Sequence, residues 1–506
     1  MLLMDARPVL DHHQRAWLSG NYATLARELA AERVSPGREL LLAQVYLRIG
    51  RHQSVLDLLG PSLAVPDFFN PVERVRALSL EGVALAAQGQ RRRAEGALRQ
   101  IGLRDRWQPA VNVEIRLNDA LVYWMLGETA HADALVSDHL FGPDSRIDPY
   151  VTARFVMLQS WIRAASEDYH GQARSLIDAI RRLQRAPEQD AGLLAWGVHA
   201  LATLVRDIDI PEGFAVAQEV EAAISWTPDL AMQRFRTGRA LAWCLALQGD
   251  YIRAFRKLEE VRPFARDAVD NVLVHLDRAH VAFISGQEAA ARGELQAADR
   301  LIRSEDWSAP ATLESGALLH AAELFSGVDA HRAEELLALA ADIRRGLARN
   351  MAIAHDRRYG ATANFTEALI REAVPGRRET ARLRALKAFE VFAEIGYNWR
   401  AARAAILLHA ITGEQQWIAR AGELCRSYPR SFVAQEAARR VSEGASPVDR
   451  LTVRQRHIYQ LVRQGKSTDQ IGMELGISPN TVRIHLGRIY GAFGVRSRTQ
   501  LLKRVS

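Results

Sequence analysis

Cysteine is almost missing from this chain: Cys244 and Cys425 are the only two among 506 residues. Two thiols exclude a disulfide framework and a Cys-rich zinc site, and both read as small buried hydrophobes. Long apolar runs are missing too. No stretch of about 18 apolar residues occurs, so no membrane-crossing helix is expected. The opening "MLLMDARPVLDHHQR" has neither the basic start nor the continuous apolar core of a signal peptide. The expectation is a cytoplasmic protein without membrane contact. Prolines number only 17, hydrophobic residues make up 48% and charged residues 25%, which excludes disorder on the scale of the whole chain. Strand signals are nearly absent. No nucleophile, base and orienting group can be assembled from the sequence, and the adjacent His12 and His13 lack the i, i+4 spacing of helical metal ligands. Catalytic, cofactor-binding and metal-binding residues are therefore assigned to none, and an enzyme is not expected.

Charge is present but unevenly placed. Residues 451–506 hold ten Lys or Arg against two acids, Asp469 and Glu474, a net charge of +8. The whole chain is +7, so residues 1–450 come out near −1. A compact basic segment marks contact with a polyanion or, more plainly, a solvated basic face. Ahead of it, "SEGASPVDR" (Ser442 to Arg450) concentrates Ser, Gly, Ala and Pro, and Pro447 stops a helix from running through. The sequence thus divides into residues 1–441, a linker at 442–450 and a basic domain at 451–506.

Upstream of the linker a pattern recurs. A Gly followed five residues later by Ala occurs at Gly89 and Ala94, Gly127 and Ala132, Gly249 and Ala254, and Gly286 and Ala291, with looser versions at Gly20, Gly50, Gly327 and Gly413. Each glycine closes one apolar helical segment and opens another. Gly89 to Gly127 spans 38 residues and Gly249 to Gly286 spans 37, close to one helix-turn-helix unit of a solenoid. Gly permits the tight turn, and Ala lets the second helix pack closely on the first. "LAWCLALQGDYIRAFRKLEEV" shows this best and resembles the tetratricopeptide repeat, although its period of about 34 residues is not kept. Tyr123, Trp124, Trp243 and Trp399 read as core packing within this array.

In the basic segment "QGKS" (Gln464 to Ser467) imitates the end of a phosphate-binding loop, but the pattern needs Gly where Gln460 stands and a preceding strand. The same residues make sense as a helix boundary. Ile458, Leu461 and Val462 fall on one face of a helix ending near Gly465, and Ser467 or Thr468 can cap a second helix whose inner face carries Ile471 and Leu475. Gly476 permits a turn, Ser478 is a natural N-cap and Pro479 a natural first residue of a third helix reaching Phe493. Its buried stripe is Val482, Leu486, Ile489 and Phe493. Two helices joined by a short Gly-containing turn form a helix-turn-helix, with the third helix as its reader.

The landmarks "LT.R", "G.S...I...LGIS..TV..H" and "GVRSR.Q" over residues 451–506 resemble the DNA-binding domain of LuxR-type bacterial transcription regulators. Gln455 stands where that family usually has Glu, which removes a common ion pair. The expected fold is all-α: a tetratricopeptide-like helical solenoid followed by a four-helix LuxR-type helix-turn-helix domain. The resemblance implies double-stranded DNA as a partner, a homodimer paired through the last helix by Leu501, Leu502 and Val505, and RNA polymerase as a further candidate partner. With the stripe buried, the face of Asn480, Arg483, Ile484, Gly487 and Arg488 points to the major groove. Arg483 can reach a guanine edge, Ile484 a thymine methyl, and Gly487 occupies a third base-reading position. Lys466, Ser467, Thr481 and Arg488 are the phosphate-contact candidates. His485 fits either the core edge or the DNA face. A transcription regulator whose repeats bind a protein, peptide or small-molecule effector is the leading reading. The alternative is an interaction scaffold with a non-specific DNA-anchoring tail.

Overall fold

The computed structural model describes residues 12–102, 108–141, 149–186, 189–304, 312–347, 357–372, 374, 376–444 and 451–505. Among them every α or β element is an α-helix, 27 in all, with two short 3-10 turns and no strand. Apolar residues at helical spacing and the near absence of strand patterns dictate this outcome. Through most of the chain the helices come in antiparallel pairs. The first helices of successive pairs begin at Pro36, Pro71, Pro109, Pro149, Ala191, Ala231, Ala268 and Thr312. Each packs against its own partner, and many also pack against the first helix of the next pair. The result is the expected tetratricopeptide-like solenoid.

One turn geometry builds the pairs. Gly89, Gly127, Gly249 and Gly286 have φ of 72°, 80°, 79° and 78°, the left-handed conformation that Gly alone adopts without strain. The following residue closes the turn by donating its N–H back five residues, from Gln90 to Leu85 and from Asp250 to Leu245, both at 2.9 Å. Ala94, Ala132, Ala254 and Ala291 are completely buried, as close helix packing demands. The looser sites at Gly20, Gly50 and Gly413 share the positive φ, whereas Gly327 does not. Glu167 makes the same turn at φ 58° without being glycine, and Gly396 with Ala401 is a further copy of the motif.

The array curls back on itself. Ala23 N–H donates to Asp229 at 2.8 Å and the Thr227 hydroxyl to the Gly20 carbonyl at 3.1 Å. Farther on, the Tyr397 hydroxyl donates to Asp207 and the Trp399 indole to the Arg206 carbonyl, both at 3.1 Å. A single hydrophobic cluster accordingly runs from Ala16 to Ile411. Trp243 and Trp399 are buried and stack at 5.5 Å, while Tyr123 and Trp124 are only half-buried. Cys244 and Cys425 are buried free thiols, and burial pushes both up to about 12. Among the described residues no helix is long and apolar enough to cross a membrane.

Helix Phe432–Gly444 extends three residues into the segment expected to be a linker, because Ser442, Glu443 and Gly444 continue its backbone pattern. Residues 445–450 of that linker lie outside the described residues. Beyond them the last helices enclose their own hydrophobic cluster, drawn entirely from residues between Leu451 and Leu502.

Candidate nucleic-acid interface

Four helices make the basic domain: Val453–Arg463, Thr468–Leu475, Pro479–Phe493 and Arg498–Val505. Their boundaries follow from capping chemistry. Thr452 and Gln455 form one capping box, Ser467 and Gln470 a second, and the Ser478 hydroxyl accepts the Thr481 N–H at 3.1 Å with Pro479 in the first turn. Gln455 serves this cap: its carboxamide oxygen accepts the Thr452 N–H at 2.9 Å. At the other ends Gly465, Gly476 and Gly494 take positive φ, and Lys466, Ile477 and Val495 each donate back five residues. Gly465 in "QGKS" thus terminates a helix.

The turn between the second and third helices is tight because Gly472 is there. A Cβ at this position would stand 2.8 Å from the Ile477 carbonyl oxygen, so only a hydrogen fits. The helix-turn-helix angle depends on that approach. The third helix then buries Val482, Leu486, Ile489 and Phe493, with Phe493 stacked on Tyr459 at 5.1 Å. Ile471 is fully buried from the second helix, and Leu475 packs against the same cluster half-buried.

With that stripe buried, the opposite face of the third helix is open. Asn480, Arg483, Ile484, Gly487 and Arg488 are all exposed. Ile484 keeps 54% of its surface in water, an unusual cost for an isoleucine that has no intramolecular packing to gain. Gly487 has open space where a Cβ would point. No acid lies on the helix Pro479–Phe493, so its face is cationic. His485 sits half-buried at the edge of the stripe, and among the described residues its Nδ1 is buried without a hydrogen-bond partner.

The four positions expected to meet phosphate are less uniform. Arg488 is exposed. Ser467 is exposed, and its Oγ accepts from Gln470 N at 3.2 Å. Thr481 is half-buried, with Oγ1 2.8 Å from Ser478 Oγ. Lys466 is ion-paired to Glu474 across the first turn of the motif. An acid within the domain therefore already occupies one of its cations.

Two features escaped the sequence. Met473 is 85% exposed on the second helix, and the outward position was legible from Ile471 and Leu475 facing in. The last helix also differs from expectation. Leu501, placed on an apolar pairing strip, is 0% exposed and belongs to the domain core, so it offers nothing to a partner helix. Leu502 is half-buried against the same core, and the side chain of Val505 lies outside the described residues. Arg498 anchors this helix by donating to the carbonyls of Val462 at 3.2 Å and Lys466 at 2.6 Å.

Residues 449–505 match the family model described as bacterial regulatory proteins, luxR family. Over 50 residues the chain is 42% identical to the spore germination protein GerE of Bacillus subtilis (strain 168), an alignment covering 10% of this chain and 68% of that protein. Among solved structures, a Rap protein complexed with Competence and Sporulation Factor shares 14% identity at a TM-score of 0.41, covering 74% of this chain and 97% of its own. The apo form of the quorum sensor NprR from B. thuringiensis shares 11% identity at a TM-score of 0.42, covering 72% and 99%.

Proposed function

We propose, from the premise that this chain belongs to the luxR family of bacterial regulatory proteins, that it is a transcription regulator whose helical repeats receive a signal and whose last four helices read duplex DNA. The observation that carries the reading is the third helix, which buries Val482, Leu486 and Ile489 while presenting Arg483, Ile484 and Arg488 to solvent. Set in a major groove, Arg483 donates to a guanine edge and Ile484 presses on a thymine methyl. Gly487 brings the backbone close at a third position, where a water completes the contact. Arg488, Ser467, Thr481 and Lys466 hold the phosphates on either side. The protein acts as a homodimer on paired half-sites, with Leu502 rather than Leu501 at the pairing surface.

Enrichment of random duplexes on the full-length protein, followed by sequencing, tests this reading. A motif should emerge, and Arg483→Ala should relax it at one position per half-site at a cost of about 1 to 3 kcal/mol. Absence of any enriched motif would favour the interaction scaffold with a non-specific DNA-anchoring tail. A motif unchanged by Arg483→Ala would show that the third helix is not the reader.

A further inference from the structure

The first helices of five successive pairs, Pro36–Arg48, Pro71–Ala87, Pro109–Met125, Pro149–Ala165 and Ala191–Asp207, border a cavity of about 270 Å³, with Trp17 of helix His12–Leu18 completing the wall. That is nearly twice the roughly 150 Å³ cavity that takes up benzene. The wall is chiefly apolar and aromatic, with Trp161 leaning on Trp196 at 4.7 Å and Trp196 itself 37% exposed. It has the character of a small-molecule site: an apolar pocket with few polar groups.

The charges of the wall do not balance. Arg48 donates to Asp190 at 3.2 Å, and Asp190 also takes the Tyr150 hydroxyl at 2.8 Å. Glu114 is held by Arg76 at 2.9 Å. Arg154 is partly buried, and among the described residues it makes no hydrogen bond and no ion pair. Burial, with the neighbouring Arg48, outweighs Tyr150, Glu114 and Asp190 nearby and holds its guanidinium below the usual arginine range, yet an arginine keeps its proton in a protein. Two donors are orphaned in the same wall. Among the described residues the indole N–H groups of Trp17 and Trp161 have no acceptor, and both nitrogens are closed off from water-sized space, Trp17 being only 7% exposed. Among the described residues His52 adds a buried Nδ1 without a partner, and burial lowers its pKa.

Arg154, with Glu114 and Asp190 near it but no direct ion pair among the described residues, asks for acceptor oxygens carrying one negative charge. A cationic ligand would meet Arg154 and Arg48 unfavourably. A phosphate dianion would exceed the single free charge. We propose that this cavity binds a small aromatic carboxylate, whose carboxylate pairs with Arg154 while its ring lies against the aromatic wall. The proposal rests on the reading above in which the repeats receive a signal, and it names the chemical class of that signal.

The test uses the full chain without DNA. Indole-3-acetate, 2-naphthoate and the neutral amide of each are titrated by calorimetry and by tryptophan fluorescence. The acids should bind, the amides should bind about tenfold more weakly or worse, and Arg154→Met should take acid and amide alike. Without ligand, Arg154→Met should melt no lower than the parent chain, because it removes an unpaired charge rather than a bond. Failure of both acids to bind, equal affinity of acids and amides, an undiminished acid preference in Arg154→Met, or a lower melting temperature of that variant would each overturn the proposal. A hydrophobic tetrapeptide binding more tightly than either acid would do the same. DNA enrichment is measured separately on the same protein. Loss of acid binding with an intact DNA motif refutes only this site, while loss of the motif with intact acid binding refutes only the DNA reading.

Discussion

The guanidinium of Arg498 donates to the backbone carbonyl of Lys466 at 2.6 Å, joining the start of the last helix to the loop that ends the first. A second bond to the Val462 carbonyl at 3.2 Å adds to the one that carbonyl already accepts from the Gly465 N–H at 3.0 Å. The second Arg of "GVRSR", Arg498, is therefore structural. Arg498→Ala should destabilise the domain by ~1 to 3 kcal/mol, since the Lys466 carbonyl loses a charged donor and the Val462 carbonyl keeps only the Gly465 N–H. Hydrogen exchange of the helix Val453–Arg463 in the full chain measures this. Base preference should stay unchanged at temperatures where the domain is folded, and a selective loss of one base position would instead make Arg498 a reader.

Two glycines of the same motif should respond oppositely to alanine. At Gly472 the new Cβ would lie 2.8 Å from the Ile477 carbonyl oxygen, so the second and third helices must separate. At Gly487 nothing lies within 4 Å, and the backbone is ordinary helix. Gly472→Ala should cost stability, whereas Gly487→Ala should add roughly 0.5 to 1 kcal/mol through helix propensity. Thermal melting of the two variants decides between them. Equal tolerance at both would mean that the helix-turn-helix angle does not depend on Gly472.

What was legible in the sequence follows a physical division. Local backbone chemistry reads well, because Ser478 with Pro479, Ser467, Gly476 and the repeat turn at Gly249 each act on their immediate neighbours. Glu167 was not legible, since it makes the Gly249 type of turn against its own steric preference and only tertiary packing holds it there. Leu501 was misplaced for another reason. Helical periodicity shows that a residue is apolar and on one face, but not whether its own domain or a second copy covers that face. The cavity of the repeats was invisible because Trp17, Arg48, Arg154 and Trp196 come from four helices spread over nearly 180 residues and meet only after the array curls.

Acid should unfold the repeats before carboxylates titrate. His280 Nδ1 lies 3.1 Å from His320 Nε2, between Trp243 and the ion-paired Glu323, Arg400 and Arg403. Burial lowers His320 to about 4 and His280 well below its ordinary value, and burial lowers His199 to about 4 elsewhere in the array. In the unfolded chain each imidazole takes a proton near pH 6.5. Between about pH 6.5 and 4 the unfolded state therefore binds more protons, and stability falls as pH falls. His320 alone contributes on the order of 3 kcal/mol across that window. The Glu323 and Asp207 carboxylates, despite burial, are held low by arginines and stay charged there. Urea unfolding at pH 7.5, 6.5 and 5.0 should show the decline, and His320→Gln should flatten it. A constant free energy across the three would mean that these histidines already carry protons in the native state.

The ion pair of Lys466 with Glu474 restrains DNA binding if Lys466 is a phosphate contact, because a phosphate must then displace the carboxylate. Both side chains are about a third or more exposed, so the pair is worth little in water and the restraint is small. Glu474→Gln frees the ammonium and removes one negative charge beside the duplex. Affinity should rise by no more than about fivefold, equally for the enriched motif and for random sequence, because a phosphate contact carries no base information. The dependence of affinity on salt should steepen by about one counterion, and Lys466→Ala should make it shallower by about as much. These slopes separate the phosphate role from a purely structural one. If Glu474→Gln leaves the salt dependence unchanged and Lys466→Ala lowers only thermal stability, the pair serves to hold the turn between the first two helices, and the phosphates are held by Arg488, Ser467 and Thr481 without it.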